Sequence, residues 1–210
     1  MLASLLYFAL VLALGEIARR VLSIETDITR KGVLAALTIW AVAAVDLRGA
    51  PAAFFLLAGA LYLSFRFEIL AALEDEGPTP GTVLAPLSLA FLLALLGESS
   101  PHIAAASALS MLGDFAAALV GRRRGTRKYR LFGHARTMEG TLAFFLVAGA
   151  AMVPALGLLG GLDGHQAVAF ALIAATVGAS VETISAHGSD NATVPLATAA
   201  TLLWLTGATS

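Results

Sequence analysis

Apolar residues run along most of this chain in long stretches, and polar residues gather in the short connectors between them. The stretches are Leu2–Ala18, Gly32–Val45, Ala50–Leu73, Thr82–Gly97, His102–Gly121, Gly140–Leu162, Gln166–Ala186 and Ala192–Gly207, eight in all. About 20 apolar residues carry a helix across the hydrocarbon core of a bilayer, and about 17 suffice at the short end. An outer-membrane barrel would instead show alternating strands of about ten residues, and the chain has none. The second stretch is short, so it borrows flanking residues or lies shallow. The third carries Arg66 and Glu68 in its last turns, where both side chains reach the interface. No charged residue precedes the first stretch and no small-residue cleavage site follows it, so it reads as a retained helix. The expectation is an all-α polytopic bundle of about eight spans, forming one integral membrane domain over 1–210.

Composition narrows the class. Hydrophobic residues make up 59% and charged residues 13% of the 210, and the mean hydropathy is +0.86. A soluble domain carries about 25% charged residues, so a soluble enzyme and a disordered chain are both excluded. The net charge of −1 and the clustering of the basic residues argue against nucleic acid as a partner. Without cysteine there are no disulfides, zinc–thiolate sites or thiol catalysis. Lys and Arg orient the helices: with eight spans, 12 of the 13 fall on one side and Arg48 alone on the other. Both termini are then expected outside a cell membrane, with a prokaryotic one favoured. The cytoplasmic loops are about Arg19–Lys31, Glu74–Gly81, Arg122–Glu139 and His187–Asn191. The acidic turn Glu74–Gly81 reads as a solubilising connector, and Pro154 is expected to kink the sixth helix.

Against that background a few carboxylates are out of place. Asp114 and Glu182 lie inside apolar stretches, about two turns and one turn from their cytoplasmic ends. A charge at such depth costs roughly 2.5–3.5 kcal/mol on insertion scales and normally faces a polar cavity. The plainer alternative is a structural pairing with Arg or with a neighbouring helix. Glu139 opens the sixth helix and favours its dipole, and Asp190-Asn191 precedes the last helix as an N-cap pair. All four acids project near one face, and together they suit a hard cation such as Mg²⁺, which takes oxygen ligands and shares its shell with phosphates. Beside them runs Gly121-Arg122-Arg123-Arg124-Gly125-Thr126-Arg127-Lys128-Tyr129-Arg130, followed by Arg136, with no acid over residues 115–138. A topogenic or lipid-headgroup role accounts for such a loop. Flanked by Asp114 and Glu139, it also reads as a polyphosphate clamp, because Arg presents forked donors to phosphate oxygens.

No P-loop, kinase signature or dinucleotide fingerprint is present. The ordered set Gly113-Asp114, Gly121-Arg122, Arg136-Thr137-Met138-Glu139-Gly140-Thr141, Glu182-Thr183-Ile184-Ser185 and Asp190-Asn191-Ala192-Thr193-Val194-Pro195-Leu196 resembles the polyprenol kinase family. That family includes the dolichol, phytol and farnesol kinases and is similar to the membrane lipid cytidylyltransferases that use CTP. The resemblance covers 113–196 well, and Glu25–Leu34 matches more faintly through Arg30-Lys31. Leu34 stands where the family usually has His, and Arg136 where it usually has Lys.

The resemblance implies phosphoryl transfer from a nucleoside triphosphate, CTP favoured, to an isoprenoid alcohol such as dolichol, phytol or geranylgeraniol. The implied cofactor is Mg²⁺ or Mn²⁺. Asp114, Glu182 and Asp190 would form the metal and base cluster, with Asn191 orienting an oxygen. Arg122, Arg123, Arg127, Lys128 and Arg136 would hold phosphates. Glu139 and Gly140 would belong to the same phosphate site, Glu139 as metal ligand or loop anchor, and Arg30 and Lys31 would be accessory. His187 is a candidate proton shuttle or a solvated loop residue. Two alternatives stay open: a cytidylyltransferase that releases pyrophosphate, and an ion-coupled transporter or scaffold without enzymatic activity.

Overall fold

The computed structural model describes residues 1–67, 80–131, 134–185 and 188–207. Helices α1 (Leu2–Leu22), α2 (Thr26–Ala43), α3 (Ala50–Arg66), α4 (Pro80–Leu96), α5 (Pro101–Leu109), α6 (Met111–Arg124), α7 (Met138–Pro154), α8 (Gly164–Ile184) and α9 (Asp190–Thr206) account for most of them. All eight apolar stretches are thus helical, in whole or in part. Four helical runs are long and apolar enough to cross a membrane: Leu2–Leu22, Pro101–Arg124, Met138–Leu159 and Gly164–Ile184. Ala50–Ser64 and Gly81–Leu96 are shorter apolar helices. The acidic turn at 74–79, Glu68 and His187 lie outside the described residues.

Local chemistry sets several boundaries. Ser23 ends α1 in a left-handed conformation (φ 52°), returning its amide to the carbonyl of Ala18. Thr137 caps α7 by accepting the amide of Gly140, and Asp163 caps α8 by accepting that of Gln166 at 2.9 Å. After Pro154, which has no amide to donate, the chain widens into a π turn over Ala155–Leu159. The fifth stretch forms one helical run over Pro101–Arg124, in which α5 passes into α6 at Ser110; that residue keeps helical dihedrals (φ −57°, ψ −28°) and its amide bonds the carbonyl of Ala106 at 3.2 Å. The second helix begins at Thr26, six residues before the apolar stretch, so Asp27, Arg30 and Lys31 are helical.

Helix α5 is the axis of the bundle. Ile103, Ala104, Ala105, Ala106, Ser107 and Ala108 are all buried, and the small side chains let α2, α4, α7 and α9 close around it. Its residues divide between two apolar clusters. Ala104 and Ala108 join the cluster built with α1 to α4, around Phe8, Leu37, Phe54 and Leu89. Ile103, Ala105 and Ala106 join the one built with α7 to α9, around Phe144, Met152, Ala171 and Leu202. Close approach of α6 to α7 depends on glycine. A Cβ on Gly140 would stand 2.8 Å from Thr137 Oγ1 and 3.0 Å from the carbonyl of Ala117. The basic segment between α6 and α7 forms a small antiparallel hairpin, β1 (Lys128–Leu131) with β2 (His134–Thr137), in which Tyr129 is opposite Arg136. That hairpin folds over the end of the bundle where α2, α4, α7 and α9 begin and α6 and α8 finish.

Candidate active site

At this end three acids from three helices meet. Asp114 stands in the first turn of α6, Glu182 in the last turn of α8, and Asp190 opens α9. Their relative exposures are 7%, 2% and 9%, and one carboxylate oxygen from each lies within 4.8 Å of the other two. Buried carboxylates repel one another unless cations sit among them. Two do. Lys31 Nζ reaches from α2 to Asp114 Oδ1 at 2.9 Å. Arg136 comes down from β2, its Nη1 2.8 Å from Glu182 Oε1 and its Nη2 3.6 Å from Asp190 Oδ2. The same Nη2 donates to the backbone carbonyl of Glu182 at 3.1 Å. Five charges from five separate segments therefore share one buried site.

Two cavities open onto it. One, of about 290 Å³, is lined by Lys31, Leu34, Gly81, Asp114, Arg136, Asp190 and Asn191 among others. The second, of about 300 Å³, is lined by Lys31, Ala117, Gly121, Arg122, Arg136, Gly140 and Glu182 among others. Lys31 and Arg136 belong to both, as do Asp27 and Ala135, so these residues form the partition between two chambers. The second chamber is floored by small residues of α6 and the start of α7, where the positive end of the α7 dipole lies; the amides of Met138 and Gly140 are taken by the Arg127 carbonyl and Thr137 Oγ1.

The residues singled out from the sequence fall into three groups. Asp114, Glu182, Asp190 and Arg136 meet at the centre, with Gly140 on the wall of the second chamber. Arg122 lines that chamber but is bound by two acids of the α2 start, Glu25 at 2.5 Å and Asp27. Asn191 lines the first chamber while its side-chain amide donates to the carbonyl of Gly81 at 3.1 Å, tying α9 to α4. Arg123, Arg127 and Lys128 are exposed, and neither chamber's lining includes them. Glu139 does not join the other acids. It accepts from Thr126 Oγ1 at 2.6 Å and from the amide of Arg127 at 3.2 Å, anchoring the strand-entry turn of the hairpin. Arg30 pairs with Asp27 at 2.5 Å and also lines the first chamber.

The donor set suits a hard divalent cation. Every candidate ligand is a carboxylate oxygen, and the spread of 4.8 Å matches metal–oxygen bonds of about 2.1–2.5 Å. The surroundings also suit phosphate. Arg136 Nε is buried and has no hydrogen-bond partner among the described residues, and a buried donor of this kind calls for an acceptor.

Comparison with known proteins adds one relative. The chain is 34% identical over 215 residues to a phytol kinase of Synechocystis sp., covering 95% of this chain and 90% of the relative. No family model matches the chain. No solved structure matches it either.

Proposed function

From the premise that the chain belongs to the polyprenol and phytol kinase family, phosphotransferases that act on an alcohol, we propose that it transfers the terminal phosphate of a nucleoside triphosphate, CTP favoured, to an isoprenoid alcohol of the phytol class. The observation that carries this reading is the buried group of Asp114, Glu182 and Asp190, facing Lys31 and Arg136 at the junction of two chambers. Phosphoryl transfer asks a protein for positioning and charge neutralisation more than for covalent chemistry. Two chambers meeting at one charged partition provide places for a donor and an acceptor to approach a common point.

Asp114, Glu182 and Asp190 would hold Mg²⁺ or Mn²⁺, which would supply positive charge to neutralise phosphate oxygens. Arg136, fixed by Glu182 and Asp190, directs its remaining donor at the transferred phosphate. Gly140 and the small residues of α6 line the space for the phosphate chain at the positive end of the α7 dipole. One carboxylate of the cluster accepts the proton of the attacking hydroxyl. Arg122, braced by Glu25 and Asp27, closes the far side of the second chamber, and the exposed Arg123, Arg127 and Lys128 draw the anionic nucleotide toward its mouth. Asn191 holds the α4–α9 edge of the first chamber. The alcohol brings its hydroxyl to the cluster and leaves its tail among the helices and lipid.

We place the site on the cytoplasmic face, with about eight spans and both termini outside, because 12 of the 13 Lys and Arg residues fall on one side of that arrangement. Cysteines introduced at Gly125 and Ser189 should then react in intact cells only with membrane-permeant thiol reagents. One at Gly164 should react with impermeant ones, and labelling of Gly125 from outside would reverse the orientation. The activity is tested by purified protein in detergent with γ-labelled CTP, ATP, GTP and UTP against phytol, geranylgeraniol and dolichol. Label moving into a lipid monophosphate, fastest from CTP, is the expected result. Pyrophosphate release with formation of a CDP-lipid would replace the kinase with a cytidylyltransferase.

A further inference from the structure

Lys31 and Arg136 both neutralise the acid cluster, but they are held very differently. Arg136 is spread over Glu182 Oε1, the Glu182 carbonyl and Asp190. A planar guanidinium in such a fork is fixed in place. Among the described residues, Lys31 makes a single ion pair, to Asp114 Oδ1. It is a compact charge on a flexible four-carbon stem, its side chain is 15% exposed, and it borders both chambers. Its ammonium therefore engages a carboxylate that a bound divalent cation would use, while bordering the space a phosphate would enter.

We propose that Lys31 is a transferable counter-ion, holding Asp114 while the site is empty and passing to a phosphate oxygen when nucleotide arrives, so that metal and nucleotide load together. This rests on the phosphotransfer reading of the site. Charge balance drives the exchange. Three carboxylates against Lys31 and Arg136 leave one net negative charge, a weak invitation to a divalent ion. A triphosphate offers the ammonium a second anion, and Asp114 is released to the metal. No bond is made or broken in this step; only ion pairs are exchanged. Metal alone is thus held weakly, and the metal–nucleotide pair strongly. A site loaded only with both is protected against idle occupancy by either.

The test is Mn²⁺ binding to the full-length purified chain, followed by electron paramagnetic resonance with and without β,γ-methylene-CTP. In Lys31→Met, which keeps the apolar stem and removes the charge, Mn²⁺ alone should bind roughly tenfold more tightly than to wild type, because a positive charge beside the ion is gone. The analogue should bind more weakly, and its enhancement of Mn²⁺ affinity should shrink. Lys31→Arg, which keeps the charge, should hold Mn²⁺ alone as weakly as wild type. A merely structural lysine would lower both affinities together. Unchanged or weakened binding of Mn²⁺ alone in Lys31→Met would overturn the counter-ion role and leave the kinase reading standing. Absence of Mn²⁺ binding by wild type, with and without the analogue, would remove the metal site and this inference with it. Lys31→Gln carries the same expectations if the Met variant does not purify in folded form.

Discussion

The buried end of the bundle and the exposed hairpin both carry Lys and Arg, and they hold them in opposite ways. At the buried end, Lys31 and Arg136 answer Asp114, Glu182 and Asp190 at short range, and the three acids are buried. On the hairpin and its approach, Arg123, Arg127 and Lys128 extend into solvent. Arg136 belongs to the same hairpin as Lys128, yet its guanidinium reaches into the cluster while Lys128 stays outside. Charge density along the sequence cannot separate these two kinds of arginine and lysine. Packing does, because a charge fixed in a low-dielectric pocket acts far more strongly on a phosphate than one screened by water and salt.

If that difference is functional, variants at the two regions should differ in size and kind. Asp114→Asn should produce the largest loss, about a thousandfold or more in turnover, since a metal ligand contributes several kcal/mol to charge stabilisation. Expression and membrane insertion should persist, and normal turnover in the purified variant would remove Asp114 from the site. Arg136→Gln should come next. Each charge-assisted contact to phosphate is worth about 1.5–3 kcal/mol, so the nucleotide KM should rise roughly tenfold or more. Thermal stability should fall as well, because Glu182 is left buried without its cation. The double variant Arg127→Gln/Lys128→Gln should be mildest, raising the nucleotide KM by only about two- to fivefold, with the effect fading at high salt. The KM for the alcohol should be unmoved. An increase as large as that of Arg136→Gln would erase the distinction between the two regions.

Much of the site was legible because carboxylates in apolar stretches are conspicuous. Asp114 and Glu182 stood out for that reason, and Asp190 through its place at a helix start. The standing of Lys31 was harder to read. Its partner Asp114 lies 83 residues away, and no periodicity connects the start of α2 with the start of α6. Glu25 and Asp27, which brace Arg122, are ordinary loop and first-turn acids with no signal beyond their nearness to Arg30-Lys31. Glu139 is grouped with the other acids by sequence, yet a first-turn side chain of α7 points back at the incoming hairpin and finds Thr126 and the Arg127 amide. The helices were legible from hydrophobic stretches alone. The passage from α5 to α6 at Ser110 was not, since neither Pro nor Gly stands there and Ser110 keeps helical dihedrals.

The most direct test of the central claim separates a working site from a structural ion pair at Arg136 and Glu182. Removing both charges together, in Arg136→Met/Glu182→Gln, keeps the net charge of the cluster and leaves only the longer Asp190 contact unanswered, a smaller disturbance than stranding Glu182 or Arg136 alone. The measurement is transfer of γ-labelled phosphate from CTP to phytol by the purified double variant, at a thermal stability matched to wild type. The account predicts a folded protein whose turnover is down by about a hundredfold or more. Turnover within tenfold of wild type would contradict it, and would reduce the buried charges to a brace between helices.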